Sequence, residues 1–359
     1  MHQRKHGSPP SQEAVEQTKK DNDMRYMNPR KITAMAASLL LLFTACTTSD
    51  VDDNGGDNSV PIPVSMTTAV SAITRSASAD LQSSRLTPGA KVGIFAKHCT
   101  SATFDNPEKW WDNSIYTVQP DGSLQADNHE QAVWYSLTGT PTYLYAYTPY
   151  ESTYNDLTYI PFKVKTDQTA DADYIASDLL ISKAENLSST AAAVQLTFTH
   201  ALSKMTVHLT PGEGMTLDDF LGATVTVSMA DGKNEINLKT QETETWVPEG
   251  TRTTITLHKF SAADITAAKN ASTSNSTPQT LTAAGIVNTK YTCAAEDKIT
   301  LTLADGATFS YALPTTLTLT PNKSYLFDFT VNNLGIEVKT SIQEWDGGDR
   351  IDDGKFIRQ

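Results

Sequence analysis

Val194-Gln195-Leu196-Thr197-Phe198-Thr199-His200-Ala201-Leu202-Ser203-Lys204-Met205-Thr206-Val207-His208-Leu209-Thr210 is the stretch that decides the fold class. Apolar and polar residues alternate through 194–199 and again through 205–210. Successive side chains of a strand point to opposite faces, so this period marks strands with one buried face. The same alternation recurs at Thr224-Val225-Thr226-Val227-Ser228-Met229, Thr254-Ile255-Thr256-Leu257 and Ile299-Thr300-Leu301-Thr302-Leu303. It returns at Tyr325-Leu326-Phe327-Asp328-Phe329-Thr330-Val331. Between these runs stand the turn pairs Asp121-Gly122, Pro211-Gly212, Asp231-Gly232, Asp305-Gly306 and Pro321-Asn322. Thr and Val are abundant, and their β-branched side chains fit a pleated surface. The pattern predicts an all-β chain built from antiparallel sandwiches. One stretch breaks it. Residues 261–279 are rich in Ala, Ser, Thr and Asn and read as a long surface loop with one helical turn at Ala262-Ala263-Asp264.

The amino-terminal side carries a different signal. Arg30 and Lys31 precede the apolar run 32–43, which ends in Thr44-Ala45-Cys46. A charged start, an apolar centre and small residues before a break point make a secretory signal. The run is shorter than the roughly 20 residues of a membrane-spanning helix. Small residues followed by Cys46 resemble the lipobox of bacterial lipoproteins, with Phe43 standing where an aliphatic residue is usual. The resemblance implies lipidation of Cys46 and anchoring of the mature chain by several acyl chains, since one alone binds only marginally. Residues 1–26 lie before the signal and read as a mis-assigned start, 27–45 as the signal itself and 46–59 as an acidic tether. Within that tether, Asp50-x-Asp52-x-Asn54-Gly55 matches the first half of a calcium loop. The position that needs a bidentate Glu is Pro61, so no calcium site is expected. The acidic residues just after Cys46 also resemble the export signal of surface-exposed Gram-negative lipoproteins.

The remaining chain is roughly 300 residues, the size of two domains. A net charge of −13 without a Lys/Arg cluster in the mature part excludes nucleic acid as a partner. After Cys46 only Cys99 and Cys293 remain. They could pair, but their spacing does not require it, and no Cys/His metal spacing occurs. A nucleophile elbow, a zincin motif and a P-loop are all missing. Gly212-Glu213-Gly214 lacks the third glycine of a dinucleotide loop. His200 and His208 fall at the same strand parity without a third ligand. Asp346, Asp349, Asp352 and Asp353 belong to a solvated Gly-rich tail, 346–359. The expectation is a protein that is not an enzyme and takes no cofactor or metal. Aromatic clusters stand at Trp110-Trp111, Trp134-Tyr135 and Tyr143-Leu144-Tyr145-Ala146-Tyr147. They read first as core and interstrand packing, with Tyr143, Tyr145 and Tyr147 on the one buried face of a strand. The alternative is a platform on which sugars stack.

Several phrases occur in a characteristic order: Ile73-Thr74-Arg75-Ser76, Leu86-Thr87-Pro88-Gly89-Ala90-Lys91-Val92-Gly93-Ile94-Phe95-Ala96, and Ser177-Asp178-Leu179-Leu180-Ile181-Ser182. They continue with the opening stretch through Met205, then Leu319-Thr320-Pro321-Asn322-Lys323-Ser324-Tyr325, Gly335-Ile336-Glu337-Val338 and Ile342-Gln343-Glu344-Trp345. Together with the lipobox, this resembles the fimbrillin family, the type V pilins and related lipoproteins of anaerobic Gram-negative bacteria. The resemblance implies two tandem transthyretin-like β-sandwiches, 60–189 and 190–345. It implies a surface-exposed outer-membrane lipoprotein that joins other pilus subunits by strand exchange and binds a host or bacterial surface ligand. It also implies proteolytic maturation after Arg75, which would remove a first strand at 60–66, held to an edge by Pro61 and Pro63. The stretch 334–345 is the candidate donor. The alternative function is a surface glycan-binding lipoprotein.

Replacing Cys46 by Ala is expected to abolish incorporation of labelled palmitate in cells and to release the chain from the membrane fraction. Label retained by the variant would overturn the lipidation of Cys46.

Overall fold

The computed structural model describes residues 61–70, 85–100, 108–271 and 279–344. Cys46, Arg75, the segments 1–26, 27–45 and 46–59, and the tail 346–359 lie outside the described residues. The chain is predominantly β. The first eight strands are β1 (Met66–Val70), β2 (Lys91–His98), β3 (Lys109–Val118), β4 (Leu124–Ala126), β5 (Thr142–Thr148), β6 (Ile160–Phe162), β7 (Leu180–Leu187) and β8 (Val194–His200). All but β6 form a seven-stranded sheet in the order β1-β8-β7-β5-β2-β3-β4. The later strands are β9 (Ser203–Pro211), β10 (Thr224–Met229), β11 (Gly232–Asn237), β12 (Glu242–Pro248), β13 (Thr253–Lys259) and β14 (Leu281–Val287). They are followed by β15 (Tyr291–Thr292), β16 (Lys298–Thr302), β17 (Thr308–Ala312), β18 (Thr318–Leu319), β19 (Lys323–Asn332) and β20 (Gly335–Glu344).

Two four-stranded sheets, β13-β10-β16-β17 and β14-β9-β19-β20, dominate the carboxy-terminal side. A three-stranded sheet, β12-β11-β6, and the β15-β18 pair complete the set. Each alternating run of the sequence is a strand, and inward residues such as Val225, Val227, Ile299, Leu301, Phe327 and Phe329 are buried in one core. Among the described strands, pairing is antiparallel except that β1 runs parallel to β8 and β19 parallel to β9. Strands from either side of residue 190 share sheets. β8 belongs with β7 and β1, whereas β6 pairs with β11.

The seven-stranded sheet is buried on both faces near its centre. On β5 all seven residues are inaccessible. Leu144 and Ala146 enter a core with Ile94, Ala96, Leu196 and Phe198. Tyr143, Tyr145 and Tyr147 point the other way, into the core shared with the carboxy-terminal sheets. The three tyrosines do share one face, but the strand has two buried faces rather than one. The hydroxyls of Tyr145 and Tyr147 are satisfied locally. Tyr145 donates to Glu185 (2.7 Å) and Tyr147 to Asn113 Oδ1 (2.7 Å). Burial pushes both phenols well above their ordinary range. The Asn113 amide in turn donates to the carbonyls of Glu151 and Tyr154 (2.9 and 2.8 Å). Asn113 sits at a bulge in β3 with φ of 47°, the left-handed region that Asn tolerates.

Residues 261–271 depart from the expected loop. Helix α1 (Asp171–Ser177) is followed by α2 (Ala262–Ala271), which buries Ile265 and Ala268. The cause is a capping box. The Ser261 amide and hydroxyl both donate to Asp264 (2.7 Å each), and the Asp264 amide returns a bond to Ser261 Oγ (3.3 Å). That Ser-x-x-Asp signature is in the sequence, followed by alanines of high helix propensity.

Gly93 lies under the Tyr147 ring. A Cβ there would stand 2.2 Å from Tyr147 Cε1 and 2.6 Å from Asn113 Oδ1. Gly93→Ala is therefore expected to lower the unfolding free energy by about 1–3 kcal/mol, the cost of overpacking. A urea titration reads it as an earlier midpoint at unchanged slope. An unchanged midpoint would mean that the ring and its Asn113 partner are not fixed.

Candidate functional site

Strand β1 is the first strand of the chain's described residues and lies at one end of the seven-stranded sheet, beside β8. Its register with β8 is continuous, from Met66↔Val194 to Val70↔Phe198. The Val194 amide also donates to the Ser65 carbonyl (2.8 Å). On its other side, the Thr68 amide and hydroxyl reach the Gly122 carbonyl (2.8 and 3.0 Å), beside the start of β4. Upstream, the Val64 amide donates to the Val133 carbonyl and the Tyr135 amide to the Ile62 carbonyl (2.9 Å each). The segment from Ile62 to Val70 thus lies between both ends of the seven-stranded sheet. The strand proper begins at Met66, where the expected first strand ended. Pro61 and Pro63 have no amide to donate, which limits 61–65 to isolated contacts such as the Pro63–Trp134 bridge.

The segment is also a plug of apolar side chains. Val64, Met66 and Val70 are buried at 5%, 2% and 5% exposure in the core with Leu196, Phe198, Val133 and Tyr135. Each such side chain contributes about 1.5–3 kcal/mol on burial. Within this core the Tyr135 hydroxyl is buried without a hydrogen-bond partner, and burial raises its pKa. The receiving strand β8 is itself pinned at its far end. His200 Nδ1 meets Asp178 Oδ1 at 2.7 Å with both side chains almost fully buried, and the Ala201 amide donates to the Leu179 carbonyl (2.8 Å).

The candidate donor, β20, is the edge strand beside β19, paired from Lys323↔Glu344 to Asn332↔Gly335. Val338 is buried, Ile336 and Ile342 are half-buried, and Leu334 is 95% exposed in the hairpin turn. Trp345 lies outside the described residues.

Other residues singled out by sequence are placed as follows. Cys99 and Cys293 are both buried, and burial pushes the Cys293 thiol up to about 12. His208 bonds Asp328 on the neighbouring strand (2.9 Å), so the two histidines have separate carboxylate partners. Among the described residues no group of three His, Cys, Asp or Glu could hold a metal ion. No described helix is long and apolar enough to cross a membrane. Of the aromatic clusters, Trp111, Tyr135, Tyr143, Tyr145 and Tyr147 are buried and Trp134 is half-buried. Trp110 stands apart, with 47% of its surface exposed. Sequence reasoning did not find the Gly122 and Val133 carbonyls that receive the first segment. They are backbone groups and carry no side-chain signature.

A fimbrillin-like family model matches residues 74–345. Among solved structures, a candidate cell-adhesion protein from Bacteroides uniformis is similar, at 22% identity and a TM-score of 0.58, covering 79% of this chain and 98% of that one. A second, from Bacteroides ovatus, matches at 16% identity and a TM-score of 0.59, over 81% and 100% of the respective chains. At these identities the likeness concerns the fold. A search of curated proteins finds no match. The family match spans most of the chain and includes every strand after β1: the chain belongs to the fimbrillin-like family.

Proposed function

We propose that this protein is a lipid-anchored fimbrial subunit of the outer-membrane surface, held through Cys46, which mediates adhesion and assembles by exchange of β-strands. Family membership supports the fimbrial reading, and the two structures of like fold are of candidate cell-adhesion proteins. The observation that carries strand exchange is the first segment, an apolar plug whose removal would leave β8 with an unpaired edge beside a groove. Main-chain ladder bonds then give affinity for an incoming strand, and alternate side-chain pockets give register. Opening the groove also lets water reach the unpartnered Tyr135 hydroxyl, which offsets part of the cost.

The side chains of the proposed donor suit that groove. The alternate positions 64, 66, 68 and 70 carry Val, Met, Thr and Val. Positions 336, 338, 340 and 342 of β20 carry Ile, Val, Thr and Ile, the same apolar-apolar-Thr-apolar order at the same spacing. A strand from a neighbouring copy could therefore fill the pockets β1 vacates without placing a charge in the core. Maturation fits a cut after Arg75, five residues beyond the last residue of β1, which frees the plug from the body of the fold.

Limited digestion with an arginine-specific protease tests this reading. Mass spectrometry should find a cut after Arg75, distinguishable by mass from one after the exposed Arg85, and size exclusion should then show oligomers. Arg75→Ala should prevent both. A chain that is cleaved cleanly after Arg75, loses its first segment and stays monomeric would refute strand exchange through this groove.

A further inference from the structure

The groove that holds the first segment is not apolar throughout. Val64, Met66 and Val70 fill three buried positions against Leu196 and Phe198. Thr68 shares their side of the strand, but its hydroxyl donates to the Gly122 carbonyl (3.0 Å), which also accepts the Thr68 amide (2.8 Å). Three pockets therefore take apolar side chains, and the fourth place ends on a carbonyl that a hydroxyl satisfies. On β20, Ile336, Val338, Thr340 and Ile342 share the inward side, with Val338 buried and Ile336 and Ile342 packed against the core.

One alignment of β20 with the vacated positions 64, 66, 68 and 70 keeps all four places matched. It is parallel to β8, with residues 336, 338, 340 and 342 taking those places in order. Sliding the strand two residues one way puts Thr340 at 66 and Glu344 at 70; the other way puts Thr340 at 70. A slip of one residue brings Glu337 to 64 or 66, because side chains alternate between faces. Reversing the strand with Thr340 kept at 68 brings Glu344 to 64. The other reversed alignments of that parity put Thr340 in one of the three apolar pockets. A buried charge, or a buried hydroxyl without a partner, disfavours each of these.

The matched alignment has three further merits. Glu337 and Lys339 fall at Ser65 and Thr67, exposed and half-buried on the outward side. Gly335 falls at Pro63, so an amide stands where the first segment has none. The Ser341 hydroxyl, buried without a partner in its own sheet, moves to the half-buried place of Ala69.

We propose that β20 of a second copy enters this groove parallel to β8, and that Thr340, standing in the place of Thr68 with its hydroxyl on the Gly122 carbonyl, fixes the register. The inference rests on the strand-exchange reading above and adds a direction, a register and the residue that sets them. In this register residue 339 lies beside 195 and residue 341 beside 197, as Thr67 and Ala69 do in the intact chain.

Cysteine cross-linking tests it, on a Cys46→Ala background that also serves as the blank for Cys99 and Cys293. A variant with Gln195→Cys or Thr197→Cys is mixed with one carrying Glu337→Cys, Lys339→Cys or Ser341→Cys. The mixture is cleaved with the arginine-specific protease and oxidised with copper phenanthroline, and linked peptides are identified by mass spectrometry. The 195–339 and 197–341 links should dominate. Thr340→Ser should keep that pattern. Thr340→Val should relax it, so that a 195–337 link, the mark of a two-residue slip, appears beside 195–339. Reversed entry would instead give 195–341 with 197–339, or 195–339 with 197–337. Either reversed pattern, or a pattern unchanged by Thr340→Val, would overturn the direction or the register lock and leave strand exchange standing. A cleaved chain that loses its first segment and forms no oligomers would overturn this inference together with the reading beneath it.

Discussion

The main-chain groups at the edge of a β-sheet must find partners, and the seven-stranded sheet meets that requirement through Ile62 to Val70. One side of this segment satisfies β8, and the other reaches the carbonyls of Gly122 and Val133. Apolar contact reinforces the same joint, because Val64, Met66 and Val70 complete a core that Leu196 and Phe198 begin. Edge satisfaction and core closure thus rest on a few residues at the amino-terminal end of the fold. Most of the remaining strands are tied to sequence neighbours by short turns; β1 is tied to β8 and the 122–135 region by noncovalent contact alone.

The rest of the molecule is stiffened by a shared sheet. β2, β5 and β7 present one face to the core around β1 and the other to the larger carboxy-terminal core. Three tyrosines of β5 occupy the second face, and the hydroxyls of Tyr145 and Tyr147 end on fixed acceptors, Glu185 and Asn113. Buried polar tips of this kind specify one arrangement of the layers, since any slip leaves a hydroxyl unpaired. The groove around β1 accordingly has a rigid floor.

Much of this was legible in the sequence, and the failures have definite causes. Period-two alternation located β8, β9, β10, β13, β16 and β19, and all but β9, buried on both faces from Ser203 to Val207, largely bury one side chain in two. The turn pairs held where a left-handed residue was required: Gly122, Gly306 and Asn322 all have positive φ. What local pattern lacks is the identity of a strand's neighbour. The parallel pairing of β1 with β8, the removal of β6 to the β11 sheet and the double burial of β5 depend on residues 30 to 130 positions away. Helix α2 was missed for a different reason, since its Ser261–Asp264 box was present but outweighed by a polar composition. Of the site, the apolar positions of the first segment could be read from side chains, while the carbonyls that receive the strand could not.

The direction of β1 has a mechanical consequence. β1 and β8 are parallel, so the chain enters β1 at one end of the pair and leaves β8 at the other. Tension between the amino-terminal side and the body of the fold therefore acts along the strands in opposite senses. The evenly spaced ladder bonds of the pair are loaded in shear and must yield together, rather than one after another as when a hairpin is peeled open. Rupture under load is governed by the unfolding rate rather than by equilibrium stability. A segment of five paired residues can in this way be a firm grip against pulling.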